Sequence, residues 1–247
     1  MKYLIGNWKA NHDVNSTREW LSEWREFLTQ DGDLSEEILV AVAPPAVLYP
    51  IFLAKAKELG LPILAALQNI SEYESGPHTG EIVLKNLADM MPSLCIVGHS
   101  ERRREAGETD EMVAQKVARL IAAQVVPVLC FDEPYLESLA AAIDPEYYSR
   151  IILAYEAPSA ISDGKVLAPG QAKNMAVDLV LPVLERARKA FPGAKILYGG
   201  SVSDANVGDY VTICDGVLVG GASLEAHRFY QSAKQLESAH EKSNSAN

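Results

Sequence analysis

The sequence is poor in positive charge, in cysteine and in long apolar runs. It carries 22 lysines and arginines against 33 aspartates and glutamates, for a formal net charge of -11. That balance argues against a nucleic-acid or anionic-membrane partner, which would need a basic patch. It also means that any anionic substrate must be attracted locally. Cys95, Cys130 and Cys214 are odd in number, and each sits in or beside an apolar stretch, as expected of buried reduced thiols rather than disulfides or metal ligands. No metal-ligand spacing is visible. Apolar runs such as Ile38–Ala43 fall far short of the about 18 residues needed to span a bilayer, and Met1 leads into a strand-like segment rather than a secretory signal. A cytoplasmic location is expected. No segment rich in Pro, Gly or Ser divides the chain, so residues 1–236 are expected to form one domain, followed by a polar tail over 237–247.

What is present is a regular alternation. Short apolar runs occur at Tyr3–Gly6, Ile38–Ala43, Ile63–Leu67, Leu94–Val97, Val125–Cys130, Ile151–Tyr155, Lys195–Tyr198 and Gly216–Val219. Most are apolar throughout rather than alternating, the pattern of parallel strands covered on both faces. Segments of helical period lie between them. In the first, Trp20, Leu21, Trp24, Phe27 and Leu28 share one helical face and read as core-facing. Eight strand-helix pairs in 247 residues point to a (β/α)8 barrel, although an open, doubly wound sheet shares the local pattern.

In a barrel the chemistry belongs where strands end and the following loops begin. Asn7-Trp8-Lys9 follows the first run, Gly98-His99-Ser100-Glu101-Arg102-Arg103 the fourth, Glu156 the sixth, Gly199-Gly200-Ser201 the seventh and Gly220-Gly221 the eighth. Each is a modest signal alone. A lysine after a strand is usually a solvated charge, and paired glycines can be simple turns. The pairs at Gly200-Ser201 and Gly220-Gly221 each precede helix-like sequence, however, and free backbone N–H groups at a helix start bind anions. Two such turns on adjacent strands suggest a phosphate cradle.

At this point the chain resembles the triosephosphate isomerase family. The similarity rests on Asn7-Trp8-Lys9, the 98–103 motif, Ala154-Tyr155-Glu156, Tyr198-Gly199-Gly200-Ser201-Val202 and Asp215 through Leu224, with Gln68-Asn69 and Thr79-Gly80-Glu81-Ile82 between them. The resemblance implies a cofactor-free aldose-ketose isomerase acting on a triose phosphate, with Glu156 the base, His99 the electrophile, Lys9 a cationic stabiliser and Asn7 an orienting group. It further implies that Glu101 pairs with Lys9 and that Ser100 meets Glu156 in the empty site. Removing a weakly acidic carbon-bound proton does require a dry carboxylate and donors aimed at the oxygen that gains charge. A neutral His99 at a helix start is the family's own arrangement, carried over here rather than predicted. Ser162, Ser201, Gly220 and Gly221 would bind the phosphate, with a lid over Ala157–Lys165 latched by Tyr198 and Ser201. The long polar stretch Asn69–Gly80 would dock into a second copy, giving a homodimer in which Thr79 reaches the partner's site.

The family pattern is not followed everywhere. Ala157-Pro158-Ser159 replaces the usual Pro-Val-Trp hinge, Cys130-Phe131-Asp132-Glu133 departs from Cys-Ile-Gly-Glu, and His78 stands where a phenylalanine is usual. The segments between Glu133 and Glu156 and between Val202 and Asp215 are short, which should alter the outer helices more than the site. Arg102 and Arg103 read as structural ion-pair formers, and His12, His78, His227 and His240 have no catalytic context. A catalytically impaired paralogue, or another phosphosugar isomerase on the same barrel, is the alternative reading. A Schiff-base aldolase would need a lysine within a strand, and none is suitably placed.

Overall fold

The computed structural model describes residues 1–157 and 176–245. Eight parallel strands, β1 (Lys2–Asn7), β2 (Ile38–Ala43), β3 (Leu64–Leu67), β4 (Leu94–Val97), β5 (Val126–Phe131), β6 (Ile152–Tyr155), β7 (Lys195–Tyr198) and β8 (Gly216–Val219), pair in chain order. β8 then pairs with β1, so the barrel is closed. This decides the question that periodicity left open, in favour of the (β/α)8 barrel over the open sheet.

The strands read as continuously apolar because both faces are covered. Inward-pointing Ile5, Ala41, Ala43, Ala66, Ile96, Val128, Cys130, Ala154, Leu197 and Leu218 belong to one buried cluster that fills the barrel. The opposite faces pack against the helix layer. That layer comprises α1 (Val14–Asp31), α2 (Tyr49–Glu58), α3 (Ser100–Ala106), α4 (Asp110–Ala122), α5 (Leu136–Ala142), α6 (Leu181–Ala190) and α7 (Ala226–Ser245). α1 begins at a reciprocal cap, in which the Asp13 carboxylate accepts the Ser16 N–H and the Ser16 hydroxyl oxygen accepts the Asp13 N–H. Its expected face is buried at Trp20, Leu21, Trp24 and Leu28, while Phe27 is half-buried against the core.

Among the described residues, two crossovers depart from the strand-helix pattern. Residues 68–93 carry only the 3-10 turns Leu84–Asn86 and Ala88–Met90, and the short link after β7 carries the single 3-10 turn Val207–Tyr210. The segment from Glu237, which its polarity marks as frayed, is instead the continuation of α7 through Ser245. Tertiary anchors explain this. The Glu237 carboxylate accepts the Ser35 N–H and the Lys234 ammonium, and His240 lies 3.3 Å from Glu37.

An aromatic cluster attaches α1 and α7 to the barrel. Trp20 stacks on Trp24 at 5.2 Å between ring centroids, and buried Phe229 lies 6.0 and 5.6 Å from those two rings. Phe229→Ala should therefore cost about 3–5 kcal/mol of stability, measured by urea unfolding. A loss below about 1 kcal/mol would mean that this cluster does not hold α7 in place.

Candidate active site

The C-terminal ends of the strands surround a cavity of about 290 Å³. Asn7, Lys9, His99 and Glu156 line one part of it, and Gly199–Val202 with Gly220–Ala222 line the other. Seven of the expected site residues thus converge: Asn7, Lys9, His99, Glu156, Ser201, Gly220 and Gly221. Glu101 stands behind Lys9. Ser162 and the lid beyond Ala157 lie outside the described residues.

Lys9 owes its position to a left-handed backbone. Its φ of 52° is uncommon for a residue with a Cβ and costs of order 1 kcal/mol or more unless neighbours impose it. They do so here. The Lys9 N–H donates to Asn7 Oδ1 at 3.1 Å, and the Gln68 amide donates to the carbonyls of Lys9 and Ala43 at 2.9 and 2.8 Å. Trp8, on the opposite side of the chain, is fully buried. The turn thereby sends an indole into the core and an ammonium toward the cavity. Lys9 Nζ meets Glu101 Oε1 at 2.7 Å, and both side chains are about a third exposed. An ion pair that exposed contributes little stability, about 0–1 kcal/mol, so its effect is to aim the ammonium.

His99 follows Gly98, whose left-handed φ of 69° favours glycine and where a Cβ would lie 3.2 Å from the Cys130 carbonyl oxygen. The Arg103 side chain, paired with Asp110 at 2.7 Å, donates through Nε to the Gly98 carbonyl and braces the turn. His99 caps α3, its Nδ1 accepting the Glu101 N–H at 3.2 Å. With Nδ1 turned to accept this N–H, Nε2 is the ring nitrogen left to donate. Nε2 points at Glu156 Oε1, 2.8 Å away. Glu156 Oε2 accepts the Ser100 N–H at 2.9 Å, so Ser100 meets Glu156 as expected, through its backbone.

The Glu156 carboxylate is almost wholly buried. Burial pushes its pKa up, but the hydrogen bond and charge attraction of His99, with the hydrogen bonds from Ser100, outweigh this and the net shift is downward. The group is therefore ionised at neutral pH and held by two donors. Beneath it, burial first and the nearby carboxylate second push the Cys130 thiol well above its ordinary range, leaving it unreactive. Cys95 and Cys214 are likewise buried and free.

The glycine-lined part of the cavity is built from two dissimilar turns. Gly221 opens the 3-10 turn Gly221–Leu224, as the sequence suggested. Ser223 donates through N–H and hydroxyl to the Gly220 carbonyl at 2.9 and 2.6 Å, and its own carbonyl accepts from the indoles of Trp8 and Trp20 at 3.0 and 3.1 Å. The turn after β7 starts no helix. Buried Asn206 shapes it, donating to the Ser201 carbonyl at 2.9 Å and accepting the Ser203 N–H at 2.9 Å. Tyr198, expected to latch the lid, is fully buried and stacks on Tyr210 at 4.4 Å.

Several contributors escape a sequence reading. Trp20 reads only as a core residue, yet it anchors the Gly221–Leu224 turn. Asn206 looks like an ordinary loop residue, and Arg228 like a solvated helix charge, although Arg228 lines the cavity. No local motif marks Trp20 or Arg228, because their partners Ser223 and Asp204 lie on other elements, and Asn206 bonds only within a turn whose place beside the cavity the fold decides. Arg102 joins a buried group in which Glu108 Oε1 meets Arg102 Nε at 2.8 Å and Lys116 Nζ at 2.6 Å. His12 lies on Trp8 at 4.1 Å and His78 on Tyr73 at 3.6 Å, and neither lines the cavity.

The family model described as triosephosphate isomerase matches residues 2–236. The triosephosphate isomerase of Thermus thermophilus is 34% identical over 244 residues, covering 92% of this chain and 95% of the relative. That of Paracidovorax citrulli is 36% identical over 249 residues, covering 93% and 96%, and that of Delftia acidovorans 36% over 246 residues, covering 92% and 96%. With the closed barrel and motifs spread over nearly its whole length, the chain belongs to the triosephosphate isomerase family.

Proposed function

We propose that the chain interconverts dihydroxyacetone phosphate and D-glyceraldehyde 3-phosphate, a step of glycolysis and gluconeogenesis, by proton transfer through an enediolate. The observation that carries this reading is the Glu156–His99 pair: a buried carboxylate 2.8 Å from a protonated Nε2, beside a cavity bounded by glycine turns. The phosphate would lie against the N–H groups around Ser201, Gly220 and Gly221, which place the carbonyl end between Glu156, His99 and Lys9. Glu156 removes the proton from the carbon next to the carbonyl and returns it to the neighbouring carbon. His99 Nε2–H donates to the oxygen that gains charge and recovers a proton from the other oxygen, while the Lys9 ammonium stabilises the anion. Asn7 keeps Lys9 in register. Neither step calls for a cofactor.

Substrate entry also sharpens the base. In the empty site His99 and Ser100 stabilise the charged carboxylate. When the His99 proton turns to the substrate oxygen, Glu156 loses a donor while remaining buried, so its proton affinity rises as it is needed. An impaired paralogue has nothing in its favour, since the base and its electrophilic partner are both present and adjacent.

Partner and location complete the reading. We infer a homodimer. The stretch Asn69–Gly80 exposes a Tyr73–His78 ring stack and Thr79, and a second cavity of about 350 Å³ opens beside Lys9, lined by Gln68, Gly80, Glu101 and Arg102 among others. A partner's loop tip inserted there would cover the Lys9–Glu101 pair. The closed barrel supports one domain over residues 1–236. Three buried free thiols fit a reducing cytoplasm, and among the described residues no helix is long and apolar enough to cross a membrane.

Three outcomes test this reading. Glu156→Gln should leave circular dichroism unchanged while kcat/KM for dihydroxyacetone phosphate falls at least ~100-fold, because an amide cannot accept the proton. A near-normal rate removes Glu156 from the mechanism. The lowered Glu156 pKa means that the base stays ionised as pH falls from neutral and is lost only on passing through its depressed value. After correction for phosphate ionisation, the acid limb of kcat/KM should lie below about 4.5, and a limb above that contradicts the hydrogen-bonded empty site. Sedimentation should show a dimer at micromolar concentration, and an active monomer there would overturn the docking role of the loop around Thr79.

A further inference from the structure

The charged residues lining the cavity, among those described, are Lys9, Glu156 and Arg228. Lys9 belongs to the reacting end, and its ammonium is held by Glu101. The glycine turns offer dipoles but no charge, and the chain as a whole is strongly acidic at -11. A doubly charged phosphate approaching this protein meets net repulsion, so a cation at the phosphate end would favour its capture.

Arg228 is suitably placed. It lies in the first turn of α7, directly after the Gly221–Leu224 turn, and lines the cavity beside Gly220–Ala222. Its Nε donates to Asp204 Oδ1 at 3.1 Å, and Nη1 lies 3.5 Å from Glu225. Asp204 belongs to the Ser201–Asn206 turn that Asn206 shapes. The ion pair therefore joins the loop after β7 to the helix after β8, fixing the guanidinium at the junction of the two glycine turns. A guanidinium has five N–H donors, and the Asp204 bond occupies one of them.

We propose that Arg228 is a substrate-binding residue, the cation that draws the phosphate dianion into the glycine-lined end of the cavity and helps retain it there. The proposal rests on the phosphate-cradle reading above. Both Arg228 and Asp204 are about a third exposed, so solvent and salt moderate the attraction without removing it. Asp204 and Glu225 reduce the net charge at this corner, and the binding contribution is correspondingly moderate.

The test uses inorganic phosphate as the probe, titrated by calorimetry and as a competitive inhibitor, on wild type, Arg228→Gln and Arg228→Lys. At low ionic strength Arg228→Gln should weaken phosphate binding and raise KM by about three- to tenfold, with the effect on KM exceeding that on kcat. Arg228→Lys should restore most of the loss, and the gap between wild type and Arg228→Gln should narrow at about 0.5 M salt. Unchanged phosphate affinity in Arg228→Gln overturns the proposal. So does a loss that is insensitive to salt and not restored by lysine, since that is the behaviour of a purely structural brace. The calorimetric arm reads phosphate binding without turnover, so a wild type that binds phosphate but does not isomerise would defeat the functional reading and leave this inference standing.

Discussion

Closure between β8 and β1 is the constraint on which the rest of the molecule depends. The register sets Tyr3 opposite Gly216 and Gly6 opposite Val219. A Cβ at Gly216 would overlap the Tyr3 backbone, and one at Gly6 would lie 2.9 Å from the Ser223 side chain. Glycine at both positions lets the last strand and the turn after it lie directly against the first. That contact brings Asn7 and Lys9 alongside Gly220 and Gly221. A chain that failed to close would leave the reacting end and the glycine turns on opposite edges of a sheet.

Within the closed barrel the site is held by contacts that contribute orientation more than stability. The Lys9 backbone is strained, the Lys9–Glu101 pair is exposed enough to be weak, and the Glu156 carboxylate is taken out of water. The surrounding packing offsets these costs. Gln68 bridges the loops after β1 and β2, Trp8 and Trp20 grip Ser223, and Arg103 fixes the turn before His99. The aromatic cluster under α1 and α7 thus serves the chemistry at a distance, because the two indoles that anchor the Gly221–Leu224 turn belong to it.

The polarity of the strands explains the division of labour around the cavity. Because every strand runs in the same direction, their C-terminal ends supply backbone N–H groups and short loops to one face. The titratable side chains at the reacting end of the cavity come from the ends of β1, β4 and β6, whereas the ends of β7 and β8 supply glycine turns. A substrate with a carbonyl at one end and a phosphate at the other matches that division in kind and in order.

Much of this was legible in the chain itself. The eight apolar runs fall within one or two residues of the observed strands, since burial on both faces leaves a continuous local record. Asn7, Lys9, His99 and Glu156 stood out because each lies at or just beyond the C-terminal end of a strand. Local pattern could not choose between an open sheet and a closed barrel, because closure depends on a register between residues more than 200 positions apart. For the same reason it could not supply the irregular crossover over 68–93, the extension of α7 beyond Glu237, or the Arg228–Asp204 pair. Strand identity is written by short-range hydrophobicity. The pairing of Lys9 with Glu101, 92 residues away, and that of Glu156 with the Ser100 N–H, 56 residues away, arise only once the folded backbone brings distant polar groups together and leaves them no better partner.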